Sequence, residues 1–199
     1  MFVRAVTFSG AHNIDAGIAH LKDNVVPIIH QQKGFRGITA SADRSSGILG
    51  ILSFWETIED REASDSALAQ SRDEGRGIVG GTISVENFEQ TVEVINEPPV
   101  VGSPLMVNKT SMDPAKVEEN LAFFKSDVLP RILATPGVRV VRSMMNRDTG
   151  HGMVGIVFSD RDAMTAAAGE ANRRREEATA RGVHFDDVSF REIVLADFR

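Results

Sequence analysis

The chain has 199 residues, 42% hydrophobic and 25% charged, a folding composition that allows one domain or two small ones. A formal net charge of −6 argues against a general grip on nucleic acid, which needs a basic face to neutralise phosphates. With no cysteine and no tyrosine, thiolate chemistry, disulfides, cysteine-held metals and phenol acid–base catalysis are excluded.

The start, MFVRAVTFSG, carries neither a charged leader nor a long apolar segment, and no apolar run approaches the ~20 residues of a membrane span. A cytoplasmic protein with no membrane partner is expected. A first strand is predicted over Phe2 to Phe8. Ile14, Ile18, Leu21, Val25 and Ile28 then follow at alternating spacings of four and three, one helical stripe. Pro27 interrupts that helix and Gly34 ends it. A hairpin follows, 35–42 and 48–55, turned through "DRSSG". A polar helix is expected over about 57–76 and a strand over about 83–95. The stretch "NEPPVVGSP", residues 96–104, has little helix or ladder potential and reads as a linker.

The same order then returns. A strand is predicted over Leu105 to Thr110, and Asp113-Pro114 supplies a cap and a first-turn proline. Val117, Leu121, Phe124, Val128 and Ile132 form the next stripe, interrupted by Pro130 and ended by Gly137. A hairpin over 138–145 and 153–159 turns through "NRDTGHG", a polar helix covers about 160–181, and a last strand covers about 186–197. Pro130 follows Pro27 by 103 residues, and so do Gly137 after Gly34, Arg139 after Arg36 and Arg147 after Arg44. After a two-residue slip, Gly152 and Gly155 follow Gly47 and Gly50 by 105. The chain is a duplication. Its expected organisation is a first repeat over 1–96, a linker over 97–104 and a second repeat over 105–199.

Each repeat reads β-α-β-β-α-β. The third strands, with Ile48, Leu49, Ile51, Leu52 and Phe54 in one copy and Met153, Val154, Ile156 and Val157 in the other, have no polar face. A one-sided antiparallel sheet would alternate, so both faces should be covered. The expected fold class is α+β: two ferredoxin-like βαββαβ repeats whose antiparallel sheets pack into an intrachain dimeric α+β barrel. Pro27 and Pro130 fall near 220° on a wheel that starts at Ile14, roughly opposite the stripe. Both helices are expected to bend there, with the lost hydrogen bond on the outer side.

With this order, the elbows Lys33-Gly34-Phe35 and Pro136-Gly137-Val138 and the strand end "SFWET", residues 53–57, the chain resembles the dimeric α+β barrel superfamily, in its antibiotic-biosynthesis-monooxygenase-like group. Members are usually single repeats that dimerise; this chain resembles a fused pair. The resemblance implies one of three uses: cofactor-independent oxygenation of quinol-like substrates, haem degradation, or no catalysis. Haem-degrading relatives place an Asn on the first strand and a His on the second helix. Asn108 fits the first, at a position equated with Ala5 in the other repeat, but neither 57–76 nor 160–181 contains a histidine. Haem degradation of the usual kind is therefore not expected.

Metal-free oxygenation asks for a dry, apolar pocket and a polar group that stabilises a developing substrate anion. Asn108 is the catalytic candidate; its bland reading is a buried amide bonded to backbone. Trp55 could wall a substrate pocket or close the core. Arg36 and Arg139 recur as substrate-binding candidates, against a reading as structural ion pairs. His20 and His30 fall near 240° and 160°, off the stripe and on different faces, so no metal and no other cofactor is expected. Phe123, at the position of His20, suggests a homo-oligomer contact or an exposed aromatic. Arg173-Arg174-Arg175, next to Glu170, Glu176 and Glu177, reads as a solvated helix face. "GRGIVGG", residues 75–81, lacks the setting of a phosphate loop. The functional expectation is a cofactor-independent, monooxygenase-like protein acting on a small aromatic or quinol-type substrate. The alternative is a non-catalytic module that binds a small hydrophobic ligand or forms oligomers.

Overall fold

The structure is a computed structural model that describes residues 1–198. Eight strands alternate with helices in the predicted order. β1 (Phe2–Ser9), β2 (Phe35–Asp43), β3 (Ile48–Trp55) and β4 (Thr82–Ile95) belong to the first repeat. β5 (Pro104–Ser111), β6 (Val138–Met145), β7 (His151–Phe158) and β8 (His184–Phe198) belong to the second. Helix α1 is α-helical over Ile14–His20, opens into a π turn over Leu21–Val25 and closes again over Val26–Ile29. Helix α2 covers Ile58–Val79. Helix α3 starts with a 3-10 turn at Pro114–Lys116, runs Val117–Phe123, opens into a π turn over Phe124–Val128 and ends over Leu129–Leu133. Helices α4 (Arg161–Ala166) and α5 (Ala168–Ala180) complete the second repeat.

The compact units differ from the sequence repeats. Unit one comprises Met1–Phe88 and the chain from Ile193, and unit two comprises Glu89–Glu192. The cause is the length of β4 and β8, 14 and 15 residues, which exceeds what one repeat's sheet needs. In unit one, β3 lies between β1 and β2, antiparallel to both. In unit two, β7 lies between β5 and β6, β8 continues beyond β5, and Glu89–Ile95 of β4 continues beyond β6. The all-apolar third strands take the central places, where ladders run on both sides. β3 and β7 have no residue beyond half-buried except His151 at the start of β7.

The prolines are met by the π turns. In α geometry the Pro27 ring would collide with the carbonyl four residues back. Instead the Val26 N–H reaches Leu21 O, five residues back, and Leu129 N–H reaches Phe124 O in the same way. Pro27 and Pro130 are exposed, so the altered bonding falls on the outer side, as expected. The extra residue in the turn also advances the helical phase. Ile29, 2% exposed, is the buried residue of the last turn, and Ile28 is only half-buried. The stripe drawn through Ile28 is corrected to Ile29, the true counterpart of Ile132.

Gly34 and Gly137 end these helices at φ of +70° and +79°. Their carbonyls accept the Glu56 N–H at 2.8 Å and the Ser159 N–H at 2.7 Å, which ties each elbow to the end of the third strand. A Cβ on Gly137 would stand 2.6 Å from Ala163 Cβ. Gly137→Ala is therefore expected to cost about 1–3 kcal/mol, read as a lower urea midpoint with an unchanged m-value.

Candidate functional site

Unit two holds a cavity of about 110 Å³ between its sheet and its helices. That is below the ~150 Å³ of a cavity that takes a benzene-sized guest, so a ring compound enters only if the walls give way or part of it stays at the mouth. β5 offers Met106, Asn108 and Thr110, alternate residues of one face, and the neighbouring strands add Ser143, Met145, Val154 and Ile156. Leu121, Phe124 and Val128 close it from α3. Helix α5 contributes Ala171, Arg174, Arg175 and Ala178, one helical face. The wall is mostly apolar, and among the described residues no Asp, Glu or His lines it.

Asn108 is 7% exposed, and Arg175 Nη1 donates to its Oδ1 at 3.1 Å. A guanidinium can only donate, which fixes the orientation of the amide and leaves its N–H groups as the donors for a ligand. Arg175 Nη2 also bonds Asn172 Oδ1, and Nη1 lies 3.8 Å from Met106 Sδ. Arg174 is 6% exposed, with Glu170 Oε1 3.6 Å from its Nη1. Burial pushes both guanidiniums below the usual arginine range. Glu170 is held down to about 2 by bonds from Arg131 at 2.7 Å and Arg173 at 2.6 Å. The Arg173–Arg175 run is thus not simply a solvated face. The signal was available: Ala171 and Ala178, seven apart, bracket Arg174 and Arg175 on the buried side.

Unit one has the corresponding cavity, smaller at about 60 Å³, with Val6 and Phe8 on its wall. The strand registers correct the equation of Asn108 with Ala5. Strand β7 follows β3 by 103 residues, not by the 105 of the two-residue slip, so Val154 corresponds to Ile51. Asn108 pairs with Val154, and Val6 pairs with Ile51. Val6 is therefore the counterpart, and an isopropyl group stands where unit two has the amide. The loops between first strand and helix differ in length, which hid this. Two cations enter unit one's wall, Arg72 from helix α2 and Arg4 from the strand; buried Arg4 donates to Ser64 Oγ at 3.0 Å and to Arg61 O at 2.6 Å.

The other candidates lie elsewhere. Trp55 is 0% exposed, donates from Nε1 to Ser53 Oγ at 3.0 Å, meets Phe35 edge-on and lines neither cavity. Arg36 pairs with Glu56 at 2.6 Å and Arg139 with Glu97 at 3.1 Å, both away from the cavities. His20, expected to point away from the core, is buried at 9% exposure; its Nε2 donates to Ser71 O at 3.1 Å. Helix α1 packs on α2 as well as on the sheet, so it buries a second face that a single stripe omits. Phe123 is half-buried at the cavity wall, and the Arg181 guanidinium caps its ring at 4.2 Å. Among the described residues no three His, Asp or Glu side chains gather as a metal site would need, and no helix is long and apolar enough to cross a membrane.

No family model matches the chain. It is 28% identical over 202 residues to the uncharacterized protein Rv2557 of Mycobacterium tuberculosis, spanning all of this chain and 90% of that one. It is 26% identical over 189 residues to a second protein of that organism, Rv2558, covering 94% of this chain and 80% of that one. Among solved structures it superposes on an anthrone oxidase-like protein with a TM-score of 0.75 at 12% identity, over 98% and 92% of the two chains. A candidate monooxygenase from Fusobacterium nucleatum gives 0.72 at 10% identity, over 100% and 94%. A ferredoxin-fold protein of Listeria monocytogenes, related to antibiotic biosynthesis monooxygenases, gives 0.51 at 8%, over 100% and 95%. These likenesses show the fold alone, the dimeric α+β barrel that the monooxygenase-like neighbours also have. Within it this chain is a tandem of two ferredoxin-like repeats.

Proposed function

We propose that unit two is a monooxygenase-like site that needs no cofactor and takes a small aromatic or quinol-type substrate into its cavity. The observation that carries this reading is Asn108: an amide locked by Arg175 in the wall of a mostly apolar cavity. A quinol-type ring passes electrons to dioxygen most readily as its anion. The amide N–H groups of Asn108 donate to the ionised oxygen, and Arg175 holds the amide in that orientation. The apolar walls keep water from competing for the same charge. The anthrone oxidase-like neighbour supports a ring substrate by analogy of fold alone.

One observation favours binding without turnover. The cavity offers no carboxylate or imidazole to act as a base, so a substrate must lose its proton before entry or to bulk solvent. Oxygen uptake with a panel of anthrone- and quinol-type compounds separates the readings. Turnover that saturates with substrate is expected; binding of the same compounds with no oxygen uptake would leave a ligand-binding module.

A further inference from the structure

Arg72 in unit one and Arg175 in unit two hold the same place, 103 residues apart, each on a cavity wall. Their charges are treated differently. Arg72 Nη2 lies 2.8 Å from Asp65 Oδ1, so a carboxylate neutralises it. The residue 103 beyond Asp65 is Ala168. Arg175 instead bonds the neutral amides of Asn108 and Asn172, and among the described residues no acid pairs with it.

A second cation adds to it. Where unit one has Ser71, unit two has Arg174, whose Nη1 is buried in the cavity wall without a hydrogen-bond partner. Its nearest carboxylate oxygen, Glu170 Oε1 at 3.6 Å, already accepts from Arg131 at 2.7 Å. Arg175 is a part-buried guanidinium with no carboxylate partner among the described residues, and Arg174 shares its carboxylate, Glu170, with Arg131. Such charge is costly to bury, and an anion in the cavity would relieve it.

We propose that the unit-two cavity binds its ligand as an anion: an apolar ring bearing one ionised oxygen acid, carboxylate or phenolate, seated against Arg175, Arg174 and the Asn108 amide. This rests on the reading of the cavity as the ligand site and adds the charge of what fills it. In unit one the wall also holds two cations, Arg72 and Arg4, and Arg72 Nη1 likewise lacks a hydrogen-bond partner. There, however, Asp65 stands 2.8 Å and 3.3 Å from them and supplies an internal negative charge that the Arg175 position lacks.

The test is calorimetric titration of the full chain with 2-naphthoate and with 2-naphthamide, which share a shape and differ in charge. Wild type is expected to prefer the naphthoate by tenfold or more. Arg175→Gln removes the cation, and Ala168→Asp installs the acid that unit one has. Both should bring the two affinities within about twofold while melting like wild type, and Arg72→Gln in unit one should leave the preference intact. A third arm assigns the acid: 2-naphthol binding that tightens as the pH rises toward the phenol range, about 10, extends the site to phenolates, and flat binding confines it to carboxylates. Equal binding of acid and amide by wild type would overturn the proposal and leave the cavity reading standing. A preference unchanged in both Arg175→Gln and Ala168→Asp would also overturn it. If neither naphthoate nor naphthamide binds, the cavity reading fails and the proposal with it.

Discussion

Trp55→Ala is expected to cost about 3–5 kcal/mol of stability, the usual range for removing a fully buried aromatic. The indole is 0% exposed, packs edge-on against Phe35 at 5.7 Å and closes the end of the central strand of unit one. Its removal leaves a large void and takes the donor from Ser53 Oγ. The ligand cavity is in unit two and does not include this residue. Chemical denaturation should therefore show a large fall in midpoint. Calorimetry on whatever folded Trp55→Ala protein remains should show ligand affinity close to wild type. A small stability loss with a lost ligand would instead make Trp55 a pocket wall.

Asn108→Ala is expected to lower turnover about 100- to 1000-fold, the range seen when one preorganised donor to a developing oxyanion is removed. The loss should fall on kcat more than on KM, because the amide N–H groups strengthen their bond as negative charge develops. Asn108→Asp should do no better. It keeps the size and the bond from Arg175 but replaces two donors with an acceptor next to the forming anion. Steady-state oxygen uptake with matched melting curves checks both variants. Turnover unchanged in Asn108→Ala would remove this residue from the chemistry.

Much of the fold was legible because the duplication repeats its punctuation. Pro27 and Pro130, and Gly34 and Gly137, mark equivalent points whatever the surrounding side chains do. In the hairpin the equivalent glycines are Gly47 and Gly150, so the two-residue slip to Gly152 and Gly155 is not kept by the registers. The apolar third strands announced their central places in the same way. What the pattern hid was phase. A π turn adds one residue to a helical stripe, so the wheel that buried Ile28 should have buried Ile29. The mismatch was already visible, since Ile132 matches Ile29 and not Ile28.

The candidate site was half legible. Asn108 was found as a polar residue on an apolar strand, but the unequal loops misplaced its counterpart by one residue, and Val6 stands there. Arg174 and Arg175 were hidden by composition. Helix α5 shows little apolar patterning, and its buried face is made of small alanines, Ala171 and Ala178, with arginine stems between them. Trp55 drew attention as a lone tryptophan, yet its role is packing. Arg36 and Arg139 recur because each repeat ties its second strand with an ion pair, to Glu56 and to Glu97.

Three of the seven methionines, Met106, Met112 and Met145, line the unit-two cavity, and Met1, Met144, Met153 and Met164 do not. Protein labelled with carbon-13 at the methionine methyls and titrated with an anthrone- or naphthalene-type ligand therefore reports directly on where a ring is seated. Shifts should concentrate on Met106, Met112 and Met145 and saturate together, while the other four signals stay in place. Shifts confined to the other methionines, or none at ligand concentrations that saturate binding, would contradict the assignment of the unit-two cavity as the functional site.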